Sequence, residues 1–468
     1  MKKAILVIIC LVAQAESLDA ACKSEACKRA TAWKSGYTAV ILDDDIGRED
    51  YFAILAAIQA RKGVVAIEAE RVLLGWVPRA AAAEVRATRG VKAVLYDAVP
   101  RPETMVRHEG ALDALAFFNS VLTGEYEDVI EAGQARTGEP LVGCVVERPA
   151  AASSVSVSQS IRSDRGDALA DVIEDRFGQG TKSGRRVAAN SSTPPFNNPH
   201  MSGRITVQLF RLDSDGTVDL NRYTWTATDF RIARDQVYGA FTVWVNQAAS
   251  RNVPLSFTVN IVDPYSRYTR NFSPTPTRYE PITRSSEEAY LWVNDALARH
   301  GYSASPLTFD EVYKKNDAFN AAMAADPVYG PFDGSFSVYI VYNPPPASGN
   351  FANGRRAFAV ADGPLVMMMW NSSGWGPEKL GRVLEHETGH IFWACDEYYD
   401  AASNTGCFSC DTCMFNIGPR NKFTTPWITN ANCEHPAATG CDMPKTTCIM
   451  QSVGSGNLCQ HTRDQIGW

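Results

Sequence analysis

Histidine is scarce in this chain, with 7 residues in 468. Two that stand in register therefore carry information. Positive charge is not in excess either: the formal net charge of -7 argues against a dominant nucleic-acid or anionic-membrane surface. No internal repeat is visible, so a repeat architecture is not expected. What remains is an ordinary globular composition, 45% hydrophobic and 21% charged. It is neither disordered nor fibrous, and it is long enough for two or three domains. The expected partner is a protein or small molecule, with no nucleic acid.

A long apolar run is missing as well. The N-terminal one, Ala4 to Ala13, follows Lys2 and Lys3 and leads into Ala13-Gln14-Ala15. It is far short of the roughly 20 residues that span a bilayer. This pattern predicts a signal peptide over residues 1–15 and a secreted, periplasmic or extracellular protein, with no membrane span in the mature chain. Cys10 follows two isoleucines, so no lipoprotein anchor is expected there. Of the 12 cysteines, Cys395, Cys407, Cys410, Cys413, Cys433, Cys441, Cys448 and Cys459 crowd the C-terminal quarter. An oxidising compartment favours disulfides over thiolate metal clusters. Up to four bridges are expected among these eight, with connectivity left open. The run CFSCDTC is read the same way, since it lacks the continuation of an iron-sulfur motif.

The expected fold class is α/β (α+β). In the N-terminal part, 22–147, the order strand, helix, two strands, helix, strand over about residues 37 to 100 suggests a small ferredoxin-like β-α-β-β-α-β sandwich. The pattern is also similar to the inhibitory propeptides of secreted proteases, so this part is either a prodomain or an ordinary accessory domain. Residues 148–204 shift to Ala, Ser, Asn, Gly, Pro and Arg and predict a flexible linker or a long loop, with a processing site near Arg185-Arg186. From Ile205 the α/β pattern resumes. It includes a helix capped by Thr226 or Thr228, and a second capped by Ser285 with Glu288 closing a capping box. The run GPLVMMMWN reads as a cleft edge strand or a buried strand. The next helix is opened by Pro377 in its first turn.

That helix carries HETGHIFWACDEYYD, residues 386–400. His386 and His390 stand four apart, so both imidazoles share one helix face and can grip one ion at about 2.0 Å. Glu387 lies beside them, placed to act as general base toward a water at the metal. The residues alone leave the third ligand open among Asp396, Glu397, His435 and His461. The motif resembles the metzincin zinc peptidases, whose HExxHxxGxxH pattern puts the third ligand six residues after the second histidine. Asp396 stands at that offset, as in snapalysin-type secreted proteases. The following DEYY is similar to the IgA-peptidase-like family, where the acid falls one position later.

The resemblance implies a catalytic domain over 205–468 that holds one Zn2+ through His386, His390 and Asp396. It also implies that Met450, in Cys448-Ile449-Met450, forms a methionine turn beneath the histidines with a closing helix after it. A plain core methionine is the alternative. Trp393 departs from the pattern, standing where metzincins place glycine. A bulky side chain resists φ > 0, so the turn is expected to take another shape, with Cys395 pinning it. Ser452 stands where astacins carry a tyrosine, and no zinc-bound tyrosine switch is expected.

The expected activity is a secreted zinc endopeptidase acting on protein or peptide. Tyr398 and Tyr399 either add a hydrogen bond or pack. Cys144 is the odd cysteine if Cys22 pairs with Cys27, and it is a candidate latency thiol of an inhibitory prodomain. The alternatives are a zinc amidase on cell-wall peptide and a non-catalytic zinc-containing binding module. Retention of Glu387 favours catalysis.

Overall fold

The structure is a computed structural model. It describes residues 36–126, then 200–397 apart from 221–222, 263–273, 328, 345–348, 361–362, 373–375 and 395, and finally 399–400, 405–406, 447–451 and 457–468. The signal-peptide expectation, nearly all of the 148–204 linker with Arg185-Arg186, and Cys22, Cys27, Cys144, His435 and Ser452 lie outside these residues. The fold is mixed α/β, with one ten-stranded mixed sheet and eight α-helices among the described residues. None of those helices is long and apolar enough to cross a membrane.

The chain runs through β1 (Tyr37–Leu42), α1 (Arg48–Ala60), β2 (Val64–Ala69), β3 (Val72–Trp76), α2 (Ala82–Arg86), β4 (Val91–Leu95) and α3 (Glu109–Thr123). These strands lie in the order β4-β1-β3-β2, antiparallel throughout. Next come β5 (Gly203–Ser214), α4 (Ala227–Ala249), β6 (Leu255–Ile261), β7 (Thr275–Thr277), α5 (Ala289–Ala298) and α6 (Phe309–Ala324). β8 (Gly334–Val341), β9 (Ala357–Ala359), β10 (Leu365–Met369) and α7 (Leu380–Ile391) follow, then the short pair β11 (Tyr399–Asp400) and β12 (Thr405–Gly406), and α8 (Gln460–Gln465). The sheet continues from β2 through β6-β5-β8-β10 in parallel and ends on antiparallel β9. It therefore runs across the expected boundary between 22–147 and 205–468.

Helices cover both faces, so the parallel strands are buried on both sides. In β10, Val366 and Met368 face the core with α4 and α7, while Leu365, Met367 and Met369 face α5 and α6. The period-two alternation explains the run of methionines. β10 is thus a buried inner strand, and the sheet edge beside the motif helix is β9. The shared core also takes Tyr37, Phe117 and Phe118 from the N-terminal part together with Tyr238, Phe241 and Trp244 of α4.

Local signals resolve individually. Thr226 caps α4, its hydroxyl accepting from the Asp229 N–H at 3.2 Å. Ser285 accepts from the Glu287 N–H at 3.2 Å. Glu288 does not close the expected capping box, because its carboxylate takes the charged Arg284 guanidinium at 3.1 Å instead, a stronger donor than a backbone amide. Pro377 opens a tight turn, Pro377–Lys379, that leads into α7.

Candidate metal centre

α7 is pinned before its histidines are reached. The Trp244 indole N–H donates to the Glu385 carbonyl at 3.1 Å. Where α7 meets α4, a Cβ on Gly381 would come within 2.8 Å of the Gln236 carbonyl, so only glycine permits that approach.

Both imidazoles are oriented by main-chain carbonyls. His386 Nδ1 lies 3.0 Å from the Ile449 oxygen and His390 Nδ1 lies 2.7 Å from the Ala394 oxygen. A carbonyl only accepts, so each Nδ1 carries the proton and each Nε2 is left to face inward. The two Nε2 atoms are 3.2 Å apart. Asp396 Oδ1 completes the triangle, 2.9 Å from His386 Nε2 and 3.2 Å from His390 Nε2. Ligand atoms about 2.0 Å from a tetrahedral zinc ion lie about 3.3 Å from one another. The triangle therefore fits a zinc ion in size, and its two nitrogens and carboxylate oxygen fit it in chemistry.

Trp393 returns the chain to Asp396 by the route expected to be closed to it. It adopts φ 74°, the left-handed value that a glycine would take. The Ala394 N–H bonds the Gly389 carbonyl at 3.0 Å, and the Trp393 N–H bonds the His390 carbonyl at 3.0 Å. This is the helix-ending Schellman pattern, with tryptophan at the position usually held by glycine. The strain, about 1–2 kcal/mol, is opposed by those two bonds and by burial of the indole, 4% exposed.

Met450 lies beneath the helix. A Cβ on Gly389, between the two histidines, would sit 2.5 Å from Met450 Sδ. The turn is closed by the Gln451 N–H on the Cys448 carbonyl at 3.0 Å, and the Met450 carbonyl accepts the Glu397 N–H at 2.9 Å. Glu397, the nearest rival ligand, turns away from the histidines: its Oε1 accepts from Cys459 Sγ and Thr462 Oγ1, each at 2.8 Å. His461 joins neither of the metal-competent groups found among the described residues. Cys395 and Tyr398 lie outside those residues, and only the backbone of Tyr399 is described, in β11.

Glu387 is 7% exposed. Burial raises its pKa, opposed by the two histidines and by the nearby Ala359 backbone of edge strand β9. Burial disfavours charge on His386 and His390, yet Asp396 outweighs it and raises both, His390 to about 9. Asp396 is half-buried, and the facing histidines hold it well below the usual carboxylate range.

Sequence reasoning missed the two orienting carbonyls and the group formed by Glu397, Cys448, Cys459 and Thr462. Cys448 and Cys459, two of the eight expected to pair among themselves, are not bridged in this structure and are buried, their sulfurs turned toward Thr462 and Glu397. No family model, no curated protein and no solved structure matches this chain.

Proposed function

We propose that this chain is an exported zinc-dependent endopeptidase. The observation that carries the reading is the triangle of His386 Nε2, His390 Nε2 and Asp396 Oδ1, with sides of 2.9 to 3.2 Å and both Nδ1 protons committed elsewhere. These three residues would hold the ion. When bound, zinc supplies Lewis acidity, polarising a carbonyl and bringing the pKa of a water molecule to about 7.

The chain's own part falls to Glu387. Its buried carboxylate, with a raised pKa, is suited to take a proton from water and to hand it to the departing amine. Ile449 and Ala394 fix the imidazole tautomers, the outer-shell task that keeps ligand geometry within tolerance.

The parallel strands, the motif helix and the methionine beneath it support a metzincin-like catalytic unit. The β4-β1-β3-β2 order supports a ferredoxin-like N-terminal unit. Its shared core and its β2 to β6 pairing support an accessory unit that stays with the fold rather than a released prodomain. The test is cleavage of a quenched casein by purified protein, with zinc content measured on the same sample and on Glu387→Ala. Zinc-dependent cleavage that vanishes in the variant is expected. Stoichiometric zinc without cleavage of protein substrates would overturn the endopeptidase reading.

A further inference from the structure

Behind the triangle lies a second cluster that the proposed chemistry does not use. Cys448 opens the turn that carries Met450. Cys459 caps α8, its Sγ accepting from the Thr462 N–H at 3.3 Å. The backbone brings the two together: the Ile449 N–H donates to the Asn457 carbonyl at 2.8 Å, and the Cys459 N–H reaches Cys448 Sγ at 3.3 Å. Both sulfurs touch the Thr462 hydroxyl, at 3.1 Å from Cys448 and 3.4 Å from Cys459. With the Glu397 carboxylate they form a group whose atoms all lie within 4.8 Å of one another.

We infer that in the exported protein Cys448 and Cys459 are joined by a disulfide that ties the methionine turn to α8. Thiols are weak hydrogen-bonding groups, so two of them in one buried contact are poorly used there, whereas an S–S bond of about 2.05 Å would join sulfurs that already meet at one hydroxyl. Oxidation belongs to the folding chain, before α8 seats. Each thiol gives a proton to water. One thiolate attacks the S–S bond of a disulfide oxidant, forming a mixed disulfide and releasing a thiolate. The second cysteine attacks the protein sulfur of that bond and expels the other half. One protein S–S bond has formed, the oxidant's has broken, and two electrons leave with it. Glu397 loses the Cys459 donor and keeps Thr462.

The bond has a consequence for the metal, and this part rests on the zinc reading. His386 is oriented by the carbonyl of Ile449, next to Cys448. An untied turn loosens that orientation, and loss of an outer-shell partner weakens metal binding by about 10 to 100-fold.

The test is alkylation in denaturant before and after reduction, followed by the mass of tryptic peptide 446–463, in which Cys448 and Cys459 are the only cysteines. No label before reduction and two after are expected. Two labels before reduction, or a link from either residue to another cysteine, would overturn the inference. Labelling restored by a chelator alone would also overturn it, because it marks a thiolate metal site. In a second arm, wild-type protein should lose about tenfold in zinc affinity on reduction, while a Cys448→Ala/Cys459→Ala variant is insensitive. Equal losses in both would overturn the link to the metal. A protein that binds no zinc but shows the protected peptide would sink the proposed function and leave the disulfide standing.

Discussion

Glu68, buried, and Asp396, half-buried, are both carboxylates that face nitrogen groups, yet their surroundings differ in kind. Glu68 receives a proton donor at every turn: Arg204 Nη2 at 2.6 Å, the Tyr51 hydroxyl at 2.6 Å and the Ser256 hydroxyl at 2.7 Å. Arg204 is enclosed by the rings of Phe52 and Phe332, 5.0 and 4.7 Å away. Burial alone would raise the pKa of Glu68, but the guanidinium overrides it. Asp396 instead shares one point with two nitrogens whose own protons are spent on carbonyls. A structural ion pair hands each lone pair a hydrogen, whereas a metal centre turns lone pairs toward a vacant middle. The first cluster clasps β2 to β5 and β6; the second is suited to an ion.

Substitutions should separate the two. The largest effect is expected from Glu387→Gln, with kcat falling about 10²- to 10⁴-fold while zinc content holds; zinc lost in parallel would make Glu387 a structural group. Glu68→Ala should lower unfolding stability by about 3 kcal/mol, because it strands a half-buried guanidinium, and leave zinc per folded chain unchanged. Denaturant titration beside metal analysis checks this, and a cost under about 1 kcal/mol would remove the clasp. Asp396→Ala should weaken zinc binding more than about 100-fold, beyond the range of outer-shell changes, as read by competition with a chromophoric chelator. Unchanged affinity would return the third ligand to its rivals.

The pH dependence follows from His390. Its pKa rises from 6.5 to about 9 in the zinc-free fold. Its stabilising contribution is therefore complete below pH 6.5 and lost as pH rises through about 9. Zinc needs the same nitrogen deprotonated. The gain in Tm on adding zinc should widen between pH 6.5 and 9, and a constant gain would mean that His390 is not a ligand. The smallest effect belongs to Gly389→Ala, whose Cβ would press on the Met450 thioether. About 1 kcal/mol is expected, since overpacking against a flexible methionine relaxes, and midpoint shifts in urea measure it.

Legibility followed range. The N-terminal strand and helix order was readable from alternation and from Gly63 after α1, and Thr226 from its capping chemistry. α3 and α6 were not anticipated, although Ala111, Ala114, Leu115 and Phe118 fall at helical spacing and Thr308 caps α6. Glu288 was misjudged because Arg284 competes for it, a choice that a capping rule does not weigh. Trp393 was misjudged because backbone preference was weighed without the two hydrogen bonds and the burial that oppose it.

By itself the sequence determined that His386, Glu387 and His390 share one helix surface, because four residues are about one helical turn. The motif's spacing also singled out Asp396 among four candidate third ligands. Only the tertiary structure shows how Asp396 comes back and Glu397 turns away. That outcome rests on the left-handed Trp393, on the Met450 carbonyl that holds the Glu397 amide, and on an Ile449 carbonyl 63 residues from the imidazole it orients. Hydrogen bonds between segments so far apart leave no periodicity to read; they exist only once the sheet and its helices have packed.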